Sequence, residues 1–201
     1  LAACEAAIET LAPATRDLTL IVGVALPLPD LPGERPRGRP ALNAAVVLSD
    51  GRRVATIGKR LLPSYDVFDE DRYFDVGQPS QPVSIAGRRV GVTICEDIWS
   101  EDEHGPRRYD VDPVADLVEA GADCIINLSA SPFDLGKAAR RYALIASASR
   151  RHGVPIAYCN LVGGNDQLIF DGRSFAVDGH GTLLRAGPGF VSAEVDCVLP
   201  A

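Results

Sequence analysis

Hydrophobic and polar positions along the 201 residues alternate between two periods, and the periods predict the elements. "LAACEAAIETLA" opens the chain with Ala-rich, helix-favouring composition, and Pro13 stops it. "LTLIVGVAL" (18–26) is a continuous apolar run of strand length and predicts a strand buried on both faces. The following "PLPDLPGERPRGRP" holds five prolines and reads as an exposed loop. "ALNAAVVLSDGRRVATIGK" predicts a hairpin turning at Asp50-Gly51, and "VSIAGRRVGVTIC" a second one turning at Ala86-Gly87. Between them, 59–82 has no period and is rich in aromatics and acids; long loops in compact domains tend to carry function. "DPVADLVEAGA" predicts a helix with Asp112 as N-cap, Pro113 at its first position and Gly121 past its end. "DCIINLSA" predicts a buried strand, "DLGKAARRYALIASASRRHG" a long helix ending at Gly153, and "VPIAYCN" another strand. "LVGGNDQ" reads as a glycine-containing loop, and the stretch after it as strands with turns at Asp171-Gly172 and Asp178-Gly179. Crossovers mixed with hairpins predict an α/β fold with a mixed sheet and helices outside.

Composition narrows the function classes. Hydrophobic residues make up 46% of the chain, enough for one sizeable core. The net charge of -7 repels phosphate backbones, so nucleic acid is not an expected partner. The apolar runs are too short to span a bilayer, and no basic segment opens a signal peptide, so no membrane partner and a cytoplasmic location are expected. Five cysteines at wide spacings, with three histidines that do not cluster near them, give neither a zinc pattern nor a disulfide framework.

One cysteine differs from the rest by position. Cys4 falls in a helix, Cys124 and Cys159 inside apolar strands, and Cys197 near a C-terminal strand, and all four read as small packing hydrophobes. Cys95, in "GVTICEDIWS", ends a buried strand where polar residues begin, the place where ligands and catalytic groups collect in α/β folds. Two readings stand side by side: a core thiol, or a nucleophile. A nucleophile needs its thiolate, and a free cysteine ionises only near pH ~8.5. His104, His152 and His180 sit in a charged loop, at a helix end and in a turn, and none supports a Cys–His pair. An ammonium beside sulfur would favour thiolate and could stabilise an oxyanion. Lys59 ends a strand and opens the aromatic loop; it is either that ammonium or a solvent-exposed lysine.

Four blocks, "GKRLLPSYDVFDEDRYFDVG", "GVTICEDIW", "INLSASPFDLGKAARR" and "NLVGGNDQLIFDGRSFAVDGHG", together resemble the nitrilase-like glutaminase domain of glutamine-dependent NAD synthetases. The resemblance covers almost the whole chain. It implies an αββα sandwich with mixed sheets and a Glu-Lys-Cys triad that hydrolyses the amide of glutamine. Cys95 matches the nucleophile, Lys59 the triad lysine, and Glu70 a further acid that positions lysine and substrate. Tyr65, Glu96, Ser131 and Lys137 match positions that line the glutamine pocket, the Glu96 N–H matches the oxyanion donor, and the "GGND" loop would lie at the pocket rim. No residue matches the general-base glutamate, so residues 1–201 are expected to be a single domain lacking its first strand and helix, inactive in isolation. No cofactor is implied here; ATP and Mg would belong to a synthetase domain of the same chain, which would receive the ammonia, in a homo-oligomer. Leu161 and Gln167 depart from the family, which more often has Gln and Glu there. A stand-alone carbon–nitrogen hydrolase on another amide, and a non-catalytic truncated domain, are the alternatives.

Overall fold

The computed structural model describes residues 1–28, 41–99 and 109–200, which form two compact units divided after residue 80. The proline-rich loop from Pro29 onward and the loop holding His104 lie outside the described residues.

The first unit opens with helix α1 (Ala2–Leu11), which passes into a 3₁₀ turn at Ala12–Thr15 where Pro13 enters. Three antiparallel strands follow: β1 (Leu20–Pro27), β2 (Ala41–Ser49) and β3 (Arg52–Gly58), in that spatial order. The central strand carries the core, because Ala44–Leu48 are wholly inaccessible to solvent. β1 is an edge strand and is mostly half-buried, so the expectation of burial on both faces is corrected. Only Leu20, Val22, Val24 and Leu26, spaced two apart, join Ile8 of α1 and the β2 side chains in one cluster. The β2–β3 turn is as expected: Asp50 and Gly51 have φ of 53° and 75°, the paired left-handed conformation that suits a two-residue hairpin. From Lys59 the chain is irregular except for one 3₁₀ turn, Glu70–Arg72, and a single bridge between Ala41 and Phe74.

The second unit contains β4 (Val83–Ile85), β5 (Arg88–Ile94), α2 (Pro113–Glu119), β6 (Cys124–Ser129), α3 (Lys137–His152), β7 (Ile156–Asn160), β8 (Val162–Asn165), β9 (Leu168–Asp171), β10 (Phe175–Val177) and β11 (Leu183–Ala186). Six of these strands form a mixed sheet ordered β11-β10-β7-β6-β5-β4, with β5, β6 and β7 parallel and the rest antiparallel. The parallel centre is covered by α2 and α3 through Val114, Leu117, Ile145 and Ala148, packed with Ile125, Ile156, Tyr158 and Phe175. Gly91 permits the close packing: a Cβ there would meet Ile125 Cδ1 at 2.5 Å and Leu117 Cβ at 3.3 Å. Asp112 caps α2 as expected, its carboxylate accepting the N–H groups of Val114 and Ala115 at 3.0 and 3.1 Å. Asp112→Ala should lower stability by about 1 kcal/mol, read as the urea midpoint at unchanged slope.

Three further expectations change. "GGND" is not a loop: Val162–Asn165 pairs with Leu168–Asp171 as a hairpin, turning at Asp166 and Gln167. Cys159 lies in β7 but its side chain is exposed, because alternate positions of that strand face opposite sides. Among the described residues no strand holds Cys197. Immediately before β6, Asp123 is held below the usual carboxylate range, first by the Arg89 backbone N–H it accepts and then by Arg88. Its folded pKa is the lower one, so its stabilisation is present above the unfolded value near ~3.9 and is lost as pH falls. Asp123→Asn should therefore flatten the acid limb of the stability–pH curve.

Candidate active site

In the first unit, backbone geometry places Lys59 where β3 ends. Gly58 and Gly77 pack backbone to backbone: a Cβ on Gly77 would meet the Gly58 carbonyl oxygen at 2.2 Å. On either side of that contact the Lys59 N–H donates to Asn43 O at 2.8 Å, and the Gly77 N–H donates to Lys59 O at 2.7 Å. Lys59 is therefore fully buried, and the solvent-exposed alternative does not hold. A buried ammonium requires a counter-charge. Glu70 supplies it, with Oε1 2.6 Å from Lys59 Nζ. Glu70 itself opens the 3₁₀ turn, donating its N–H to Pro63 O at 3.1 Å and accepting from the N–H of Phe74 at 2.9 Å. The sequence-derived pair is thus brought together. Tyr65 lies in the same irregular segment, partly exposed, with its ring edge-on to Phe68 at 5.9 Å between centroids. Gly77→Ala should displace the backbone at Lys59. We expect a stability loss of about 1–3 kcal/mol and a larger proportional loss of activity, measured on the soluble fraction.

In the second unit, Cys95 sits where β5 breaks into a 3₁₀ turn, Cys95–Ile98. Its φ is +45°, a left-handed conformation costing a non-glycine residue about 1–2 kcal/mol. Two buried side chains hold this bend. Asp97 accepts the Ile94 N–H at 3.0 Å, and Asn127 Nδ2 reaches Cys95 O at 3.5 Å and Thr93 Oγ1 at 3.0 Å. Of the two acids after Cys95, Asp97 therefore serves the backbone of the bend. Glu96 is buried and its Oε1 accepts from the Tyr109 hydroxyl at 3.0 Å. Ser131 is buried, its N–H bonded to Asn160 Oδ1 at 2.9 Å. Lys137 is the first residue of α3, half-buried, its N–H bonded to Asp134 O at 3.1 Å.

Of the other cysteines, Cys124 is inert: burial pushes its thiol up to about 11. Tyr158, one strand from Asn127, is pushed up to about 12, first by burial and then by the charge of Cys95. Its hydroxyl keeps its proton throughout the neutral range. A buried ion pair was not foreseen: Arg141 of α3 and Asp171 of β9 meet at 2.5 Å, both almost inaccessible. Asn160 Nδ2 and Arg141 both donate to Gly172 O, at 3.0 and 3.4 Å, which ties this pair to the Ser131 loop. The available signal was spacing: Arg141 lies four and seven residues before Ile145 and Ala148, on the apolar stripe of α3. Among the described residues no group of three or more His, Cys, Asp or Glu is placed to hold a metal ion, and no helix is long and apolar enough to cross a membrane.

A family model described as Carbon-nitrogen hydrolase matches residues 6–196. The chain is 41% identical over 174 residues to the glutamine-dependent NAD(+) synthetase of Synechocystis sp., covering 86% of this chain and 31% of that one. It is 43% identical over 193 residues to the protein of the same name from Xanthomonas campestris, covering 95% and 32%. The chain thus spans about a third of the length of the curated relatives it matches. Among solved structures, the glutamine-dependent NAD+ synthetase from Acinetobacter baumannii, in complex with ADP, superposes with a TM-score of 0.79 at 30% identity, covering 94% of this chain and 32% of that one. The NitN amidase from Neterenkonia sp. AN1 superposes with a TM-score of 0.76 at 24% identity, covering 98% and 69%, a likeness of fold alone.

Proposed function

The chain belongs to the carbon–nitrogen hydrolase family and has its nitrilase-like α/β fold, and from that premise we propose that it hydrolyses the side-chain amide of glutamine and supplies the ammonia to NAD synthesis. The observation that carries this reading is its 41–43% identity to glutamine-dependent NAD(+) synthetases over most of its length. The buried Lys59–Glu70 pair and the strained Cys95 elbow support it from chemistry.

In the proposed reaction the general-base glutamate takes the Cys95 thiol proton, later passed to the leaving nitrogen, and the thiolate attacks the amide carbon to form a carbon–sulfur bond. Lys59 Nζ and the Glu96 N–H stabilise the oxyanion. The carbon–nitrogen bond then breaks, the nitrogen takes a proton and ammonia leaves, and a glutamyl thioester remains. Water attacks the thioester, releasing glutamate and restoring the thiol. Glu70 pairs with the Lys59 ammonium and holds it in place. Tyr65, Glu96, Ser131 and Lys137 bind the substrate's polar groups. We place residues 1–201 in one glutaminase domain of a longer chain, because the relatives are about three times as long. The general-base glutamate and an ATP- and Mg-dependent synthetase domain are assigned to the rest of that chain, and the whole to a cytoplasmic homo-oligomer. The glutaminase part uses no cofactor of its own.

Substrate preference tests the reading. Glutamate release from glutamine should exceed release of the acids from acetamide or propionamide by at least about 100-fold in kcat/KM. Equal or faster turnover of the simple amides would instead favour a stand-alone hydrolase, and no turnover of any amide would favour a non-catalytic domain.

A further inference from the structure

Asn43 touches both members of the buried pair. Its backbone carbonyl accepts the Lys59 N–H at 2.8 Å, and its side-chain Nδ2 donates to Glu70 Oε2 at 3.2 Å. The other carboxylate oxygen, Oε1, takes Lys59 Nζ at 2.6 Å. The two oxygens of Glu70 are therefore divided between one amide and one ammonium. Resting on the assignment of Lys59 and Glu70 to the reaction, we propose that Asn43 is a positioning residue: its amide locks the Glu70 carboxylate in the orientation that holds the Lys59 ammonium.

The need for such a lock follows from where Glu70 sits. It lies on the long irregular segment, on a 3₁₀ turn of three residues, and its side chain is 19% exposed. A glutamate there has three rotatable bonds and water to compete for its oxygens. Asn43 sits on β2, beside the fully buried Ala44–Leu48, in register with Ala25 of β1 and bonded through its carbonyl to the Lys59 N–H just past β3. That strand is the central, largely buried one of its sheet, hydrogen-bonded on both sides, so the amide is a fixed partner for the carboxylate. The sequence supports a specific role. Asn43 is the single polar residue in Ala41–Leu48, and asparagine is disfavoured in strand interiors. A broken local rule of this kind is expected where a side chain serves a site. An amide N–H donating to a carboxylate is a charge-assisted bond, and unlike a water it is fixed in direction by the strand that carries it.

The geometry separates two functions of one residue. The carbonyl survives any substitution, so side-chain variants test the lock alone. Asn43→Leu keeps the branched skeleton, with a little more bulk, and removes the donor; kcat for glutamine hydrolysis should fall on the order of 10- to 100-fold with KM within about threefold. Asn43→Asp keeps the shape and sets a second carboxylate against Oε2. Like charges at that distance disfavour double ionisation, so one proton is taken up between them as pH falls. That proton restores a donor, and the Asn43→Asp variant should regain activity towards lower pH, shifting the kcat/KM optimum to the acid side. A residue that only supports the fold would lower the melting temperature and leave the shape of the pH profile unchanged. The experiment measures kcat, KM, pH profile and thermal midpoint for wild type, Asn43→Leu, Asn43→Asp and Lys59→Met in the full protein. Loss in Lys59→Met and Asn43→Leu, with the acid shift in Asn43→Asp, supports the lock. An Asn43→Leu variant within twofold of wild type overturns it, as does parallel loss of activity and stability with no acid shift. A fully active Lys59→Met variant would overturn the underlying assignment instead.

Discussion

On the proposed function, Cys95→Ala in the full-length protein should abolish glutamine-dependent NAD synthesis while leaving ammonia-dependent synthesis intact. The substitution removes one sulfur at a half-buried position and fills nothing, so the fold around it has little to lose. Alanine at φ +45° carries the same backbone strain as cysteine, and the contacts of Asp97 and Asn127 are to main-chain groups that remain. What disappears is the sulfur assigned to form the thioester. Loss of a nucleophile that acts as one unit with its partners costs on the order of 10⁴-fold or more in kcat. Free ammonia bypasses that step, so synthesis from ammonium salts should stay within about twofold, the scale of a surface change. Equal loss of both activities would mean that Cys95 holds the structure together and does not react.

The second large effect is on stability. Arg141→Met or Asp171→Ala should destabilise the protein by about 3–5 kcal/mol, because each leaves an uncompensated buried charge. The side chains are 2% and 0% exposed, so water cannot repair the loss. Asp171 retains only a 3.3 Å ion contact with Arg173, whose own side chain is half exposed. Replacing both partners with apolar residues should cost less than either single change, since no charge is then stranded. The damage should also reach the site. Asn160 shares the Gly172 carbonyl with Arg141 and holds both backbone polar groups of Ser131, so KM for glutamine should rise in the single variants. Chemical denaturation measures the first effect and steady-state kinetics the second. A loss below about 1 kcal/mol, the level of an exposed ion pair, would contradict the account.

Local chemistry made much of this legible in the sequence. The Asp50-Gly51 and Ala86-Gly87 turns, the Asp112 cap with Pro113, and the stop at Gly153 follow from backbone preferences acting over a few residues, and all four stand in the structure. Cys95 at the end of a strand was likewise readable. What the sequence hid depends on neighbours far along the chain. β1 reads as doubly buried from its apolar run, but its place at a sheet edge leaves one side less covered. Lys59 stays open between a buried ammonium and a surface lysine until Gly58 and Gly77 meet and Glu70 turns towards it, an approach set by backbone contacts across 18 residues of irregular chain. Arg141 falls on the apolar stripe of α3 by spacing, but the partner that makes it a buried ion pair, Asp171, lies 30 residues further along the chain. "GGND" reads as a loop because glycines carry no periodic signal, so its pairing with β9 shows only in three dimensions.

Chemical trapping of the nucleophile tests the central claim most directly. A glutamine-mimicking diazoketone loses dinitrogen when a thiolate attacks its terminal carbon, leaving a stable thioether on the attacking residue. Mass spectrometry of the labelled full protein should find one equivalent on the peptide carrying Cys95, with loss of glutamine hydrolysis in proportion and protection by glutamine. An adduct on the exposed Cys159 or on Cys124, with Cys95 unmodified while activity is lost, would contradict the account.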